Sequence, residues 1–240
     1  GILSNGDVTL NNSTISGNSA STFGGGIAGR NAVILNNSTI SGNSAGDVGG
    51  GIASPDSVTL NNSLVLGNEA PNAPQIRANG GITLNTSAYG FAAGESTGDS
   101  FVGFGIDDVF TNPVAATSAP TTAGDYTLKA CSPAINAGDN DNAPGGTDLA
   151  GNTRIQNVTV DMGAFESTLK ACQTIDFDLS TLPIKAVGDA DFDIGGFASA
   201  SSGLAVTFGS ATTGVCTVAG STVTILAVGT CTINADQAGN

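Results

Sequence analysis

Three pairs of carboxylates are candidates to act together: Asp107 with Asp108, Asp139 with Asp141, and Asp161 with Glu166. Two carboxyl groups flanking a glycosidic bond, about 5 to 9.5 Å apart, are what glycoside hydrolysis requires. Asp107 and Asp108, if extended, would point to opposite faces of a strand. Asp139-Asn140-Asp141-Asn142, followed by Asp148, offers hard oxygen ligands of the kind calcium takes, which makes Asp139, Asp141 and Asp148 candidate metal ligands. The segment lacks the glycine at position six and the glutamate at twelve of an EF-hand, and a solvated acidic loop is the competing reading. There is no histidine, so imidazole base catalysis and imidazole metal ligation are excluded. No other cofactor is implied.

Four cysteines fall into two pairs. Cys216 and Cys231 stand on the same face as Val218 and Ile233, on two neighbouring expected strands, which predicts a disulfide closing a 15-residue loop. Cys131 and Cys172 each end a similar tetrapeptide and form the second expected disulfide. With no C-x-x-C spacing and no histidine, a metal site is the poorer reading. Disulfides imply an oxidising, extracytoplasmic compartment. The net charge of -14, with only six basic residues, argues against nucleic acid, whose affinity comes from Lys and Arg. No run of about 18 apolar residues could span a bilayer.

The elements that must position these groups are announced by a repeat. Val8-Thr9-Leu10-Asn11-Asn12-Ser13 returns as Val33 to Ser38 and as Val58 to Ser63, a step of 25, and a worn copy, Ile82 to Ser87, follows at a step of 24. Short apolar alternation, then Asn-Asn, then Gly17-Asn18 and its copies at 42 and 67, predicts one coil of a parallel β-helix per repeat. Equivalent residues then stack roughly 4.8 Å apart. Val8, Val33 and Val58 form one internal column, and Leu10, Leu35, Leu60 and Leu84 another. Asn11, Asn36, Asn61 and Asn85 form a structural amide ladder. The glycine runs 24–26 and 49–51 mark a corner where a Cβ would not fit. Sequons at Asn12, Asn37 and Asn157 are formal matches, the first two hidden at a coil corner. The positions of Thr9, Ile34, Thr59 and Thr83 break the threonine regularity an ice-binding face would need, and Asp7, Ala32, Ser57 and Gly81 show that no acidic column lines the repeats.

Ile15-Ser16-Gly17-Asn18 with Gly25-Gly26-Ile27, and their copies, resemble the GGA[ILV] and FxxN repeats of polymorphic outer-membrane and autotransporter-like β-helices. Repeats fade after Phe91, and residues 95–121 read as an irregular excursion. Next, Cys131-Ser132-Pro133-Ala134-Ile135-Asn136-Ala137-Gly138, Asp148 to Gly151, and Asp161-Met162-Gly163-Ala164-Phe165-Glu166 are similar, in order, to the terminal signatures of the bacterial choice-of-anchor Q family. That resemblance implies a β-helix terminus in an exported surface protein. From Gln173, short alternating strands at 204–208, 215–218, 222–226 and 230–233, with turns at Gly209-Ser210, Ala219-Gly220 and Val228-Gly229, suggest a β-sandwich and resemble bacterial immunoglobulin-like repeats.

The expectation is therefore an all-β chain: a right-handed parallel β-helix over 1–94, an irregular excursion and terminal region over 95–170, and a small immunoglobulin-like β-sandwich over 171–240. Gly1-Ile2 reads as the tail of an earlier coil, so the chain is expected to be part of something longer. The expected function is a non-catalytic extracellular structural or adhesive role at a bacterial cell surface, as a stalk or fibre that could self-associate into filaments and meet a protein or glycan receptor. The alternative is a carbohydrate-active enzyme, a polysaccharide lyase or hydrolase, on the same scaffold.

Overall fold

The computed structural model describes residues 1–90, 105–143 and 145–238, in two compact units, Gly1–Ala171 and Cys172–Asn240. In the first unit each repeat forms one turn of a β-solenoid of about four turns. Its first face stacks Ile2–Ser4, Ile27–Gly29, Ile52–Ser54 and Ile76–Ala78. The second stacks Val8–Asn11, Val33–Asn36, Val58–Asn61 and Ile82–Asn85. The third stacks Thr14–Ser16, Thr39–Ser41, Leu64–Leu66 and Ala88–Gly90. All pairings are parallel, with Leu10 opposite Leu35, Leu35 opposite Leu60, and Leu60 opposite Leu84, and the third coil, from Ile52 to the residue before Ile76, is one residue shorter than the two before it. Val8, Val33 and Val58 fill the interior with Ile27, Ile52, Ile40 and Val65. No coil could bury these side chains alone, which is why stacking carries the stability.

Polar columns close the corners. Asn36, Asn61 and Asn85 each donate their amide Nδ2 to the Oδ1 of the asparagine one coil earlier, at 2.8, 2.7 and 2.7 Å, the last link ending on Asn61. A second ladder runs through Asn18, Asn43, Asn68 and Gln75, each step 2.9 Å, with Asn43 and Asn68 buried. A serine column joins them: Ser38, Ser63 and Ser87 hydroxyls accept from the backbone N–H of Ser13, Ser38 and Ser63. Buried polar groups demand partners, and here the next coil supplies them.

The third face is covered on its outer side. Residues 91–104, part of the expected excursion, lie outside the described residues. Residues 106–112 are regular where an irregular excursion is expected: a one-turn helix (Ile106–Val109) leads into a strand (Phe110–Asn112) that pairs antiparallel with Asp125–Leu128, while 113–124 between the two strands are irregular apart from a single 3-10 turn, Ala116–Ser118. Phe110 and Tyr126, in edge-to-face contact at 5.3 Å, pack with Leu64, Leu66, Ile135 and Met162 into a second apolar core outside the coil. This stretch travels along the corner formed by Gly17, Gly42 and Gly67, all at positive φ. A Cβ at Gly17 would lie 2.2 Å from the Thr121 carbonyl oxygen, and one at Gly42 would lie 2.5 Å from that of Val114.

The second unit is antiparallel. Ile175–Phe177 pairs with Ala198–Ala200, Thr207–Ser210 with Ile233–Asp236, and Thr222–Ile225 lies between Phe192–Asp193 and Cys216–Ala219. Ile194, Cys216 and Val223 form its core, flanked by Phe177 and Phe208 with ring centroids 5.6 Å apart. Two sequence expectations are corrected here. Gly209-Ser210 belongs to a strand, because the turn starts only where the Ser210 hydroxyl accepts from the Thr212 N–H. The last strand begins at Ile233, since the N–H of Thr232 is held by the Thr212 hydroxyl. Cys216 and Cys231 are bonded with their Cα atoms 5.6 Å apart; Cys131 and Cys172 are disulfide-bonded too, and no cysteine is free.

Candidate functional site

Among the described residues the densest chemistry is a buried cluster of Asp148, Arg154, Asp161 and Glu166, held on a segment whose Ala164 N–H donates to Thr39 of the third face. The asparagine pairs build its floor. In each pair the first residue enters the ladder, while the second, Asn12, Asn37 or Asn62, turns the corner at φ of 44–45°. Asparagine tolerates this left-handed conformation better than most residues. Its amide is thereby aimed outward, at the segment that covers the face. Asn12 Nδ2 donates to the carbonyl of Thr147 at 2.9 Å. Asn62 makes a reciprocal pair with Asp139, accepting from its N–H at 2.8 Å and donating to its carbonyl at 2.9 Å. Between them, with the Asn37 amide oriented oxygen toward the guanidinium, its Oδ1 accepts from Arg154 Nε at 3.1 Å and Nη2 at 2.7 Å.

Arg154 is almost fully buried, and its five donors explain how that is tolerated. Besides Asn37, it donates to the carbonyls of Ala164, Asp161 and Gly163, the last at 2.6 Å, and pairs with Glu166 Oε1 at 3.2 Å. Glu166 also accepts from the Asp161 N–H. Asp161 accepts from the N–H groups of Asn136 and Ser167, both at 2.6 Å. Asp148 accepts from the N–H groups of Glu166, Ala150 and Asn152. The terminal motifs are thus sewn to one another by carboxylate-to-backbone bonds, and to the coil by one arginine and three asparagines.

Electrostatics follow burial. Desolvation pushes the Asp161 carboxyl up to about 6, against the pull of its two N–H donors and Arg154. Glu166 is also raised, by desolvation first and the neighbouring Asp161 charge second, with Arg154 opposing. Burial lowers the Arg154 pKa, opposed by the charges of Glu166, Asp148 and Asp161. For Asp148 burial again pushes upward, but the donors from Glu166, Asn152 and Ala150 outweigh it and its pKa lies below the ordinary value.

The carboxylates picked out by sequence are distributed as follows. Asp161 and Glu166 come together, but facing inward onto N–H groups and a guanidinium, without the open space between them that a bound sugar would occupy. Asp107 and Asp108 are helical rather than extended, and Asp108 accepts from the Gly105 N–H at 2.8 Å. The calcium candidates Asp139, Asp141 and Asp148 are not brought into one cluster, and among the described residues no three acidic or sulfur side chains are grouped to hold a metal. The physical reason is that Asp139 caps its own turn, accepting from the Asp141 N–H and from Asn142 Nδ2, while Asp148 is occupied by Glu166, Ala150 and Asn152. Sequence reasoning missed Arg154 and the outward asparagines. The signal for Arg154 was its isolation as the single basic residue from 130 to 169, among five carboxylates.

Comparison of the chain with protein-family models, with curated proteins and with solved structures finds no match.

Proposed function

We propose that this chain is a non-catalytic, extracellular structural or adhesive protein, a β-solenoid stalk or fibre component of a bacterial surface, with an immunoglobulin-like second unit as spacer. The carrying observation is the fate of its repeated polar groups: the three columns of Asn and Ser are consumed in coil-to-coil hydrogen bonds, so repetition serves the scaffold. The terminal carboxylates are likewise consumed, in backbone bonds and one ion pair. Two disulfides suit an oxidising, extracellular setting, and among the described residues no helix is long and apolar enough to cross a membrane.

The test is incubation of the purified chain with acidic and neutral polysaccharides, following new chain ends. No turnover above buffer is expected. Turnover lost on Asp139→Ala or Asp161→Asn, with the fold retained by circular dichroism, would overturn the proposal in favour of a lyase or hydrolase. Electron microscopy at high protein concentration tests the fibre variant, which predicts filaments growing along the stacking axis and is wrong if only short monomers are seen.

A further inference from the structure

Away from the buried cluster, the outer side of the first face carries a groove of about 610 Å³ that the repeat itself carves. Its floor is one outward-facing column, Leu3, Ala28, Ala53 and Arg77, paired in register. The two middle coils carry only a methyl group there, and the end coils carry long side chains, so the column is concave. One wall is the bridged column Phe23, Val48 and Asn72. The other is the corner after the strand, with Arg30, Pro55 and Asn79 on successive coils. Leu3 is 81% and Phe23 53% exposed, an unusual display of apolar surface beside a ring of polar side chains.

Charge narrows the occupant. The net charge of -14 disfavours a polyanion over the chain as a whole, and the groove is the local exception: Arg154 is buried in its ion pair, and two of the remaining five basic residues, Arg30 and Arg77, line this one groove, Arg77 donating its Nε to Asn79 Oδ1 at 2.8 Å. They stand two coils apart, about 10 Å along the stack. Asp47, the groove's one carboxylate, already accepts from Asn72 Nδ2 at 3.1 Å. The middle floor strands Ile27–Gly29 and Ile52–Ser54 are hydrogen-bonded to neighbours on both sides, and this sheet's edges, Ile2–Ser4 and Ile76–Ala78, lie at the two ends of the stack, so an extended peptide lying along the groove finds no free edge beneath it. Recognition must come from side chains: the guanidinium groups of Arg30 and Arg77, the amides of Asn72 and Asn79, methyl groups on the floor and a phenyl ring on one wall. We infer that this groove binds a linear anionic polysaccharide, lying along the stacking axis with carboxylate or sulfate groups on Arg30 and Arg77 and the apolar faces of its sugar rings on Phe23, Ala28 and Ala53. Guanidinium groups suit such planar or tetrahedral oxyanions. With a single, already bonded carboxylate, the groove lacks the pair of carboxyl groups that hydrolysis of a glycosidic bond requires, and the inference is one of binding.

The inference stands on the groove alone and survives either outcome of the turnover test above. Binding is measured by calorimetry on the full chain at about 0.15 M salt, where the Debye length of about 8 Å confines electrostatics to local contacts. The probes are a polygalacturonate oligomer, a sulfated heparin-type oligomer, a neutral dextran oligomer and a Glu-rich peptide. One or both anionic saccharides are expected to bind, and whichever binds more tightly identifies carboxylate or sulfate as the preferred group. Arg30→Ala with Arg77→Ala, both surface changes, should weaken binding by at least about tenfold, and Ala53→Glu, which places a charge on the floor, should abolish it. Absence of binding, equal binding of dextran, tighter binding of the peptide, or unchanged affinity in the arginine double variant would each overturn the inference.

Discussion

Replacing Arg154 with methionine keeps a long apolar stem but removes every donor at the centre of the clasp. Glu166 loses its counter-charge, the carbonyls of Ala164, Asp161 and Gly163 lose their donor, and Asn37 is left facing apolar atoms. Removing one partner of a buried ion pair costs about 3–5 kcal/mol, which for a unit of this size lowers the melting temperature by about 6–20 °C. The sign of the pH dependence follows from the raised carboxyls. Asp161 is shifted from 3.8 to about 6, and Glu166 is shifted upward as well, both chiefly by burial. Between pH 4 and 6 the folded chain therefore holds protons that the unfolded chain has released, and wild-type stability falls as pH rises, by about 3 kcal/mol for Asp161 alone. Arg154 offsets that cost once the carboxylates ionise. The loss in Arg154→Met should thus be larger at pH 8 than at pH 4.5. Denaturant unfolding followed by circular dichroism at the two pH values reads both quantities. A loss below about 1 kcal/mol, or the same loss at both pH values, would refute this reasoning.

Asn43→Ala, which strands the half-buried amide of Asn18, the buried amide oxygen of Asn68 and the Ile15 carbonyl, should cost about 2–4 kcal/mol, while Asn11→Ala at the exposed end of the outer ladder should cost under about 1 kcal/mol; chemical denaturation compares them. Thr86 holds the left-handed corner that asparagine holds in the other three coils, at φ 47°, so Thr86→Asn should raise stability by about 0.5–1 kcal/mol by relieving strain at a β-branched residue, seen as a higher unfolding midpoint. Replacing Cys216 and Cys231 by serine opens a 15-residue loop and should cost about 3 kcal/mol, read as faster proteolysis within 172–238 with the first unit unaffected.

The coil was legible because its information is periodic. Steps of 25, 25 and 24 in the sequence reappear as the strand register, and Asn11, Asn36, Asn61 and Asn85 hydrogen-bond in the order their spacing implies. The second residue of each Asn-Asn pair reads as part of a corner, and at Asn12 and Asn37 as a formal sequon, since its partners lie 135 positions away for Asn12 and 77 for Asn62. No local pattern encodes such contacts. The same holds for Arg154, whose role depends on Asn37 of a distant coil, and for the calcium candidates, whose oxygens the sequence offers as ligands and the fold engages with backbone donors. In the second unit, strand ends moved by two or three residues where Ser210 and Thr212 hydroxyls, rather than glycines, set the turns.

The claim that residues 105–143 and 145–166 form an integral wall of the solenoid, not a loop laid over it, is tested most directly by native-state hydrogen exchange of the intact chain. Amides of 134–138 and 160–166 should exchange with the same opening free energy as those of 33–41 and 58–66, as one cooperative unit. If the segment opens at several kcal/mol less than the coils do, the wall is separable and the account is contradicted.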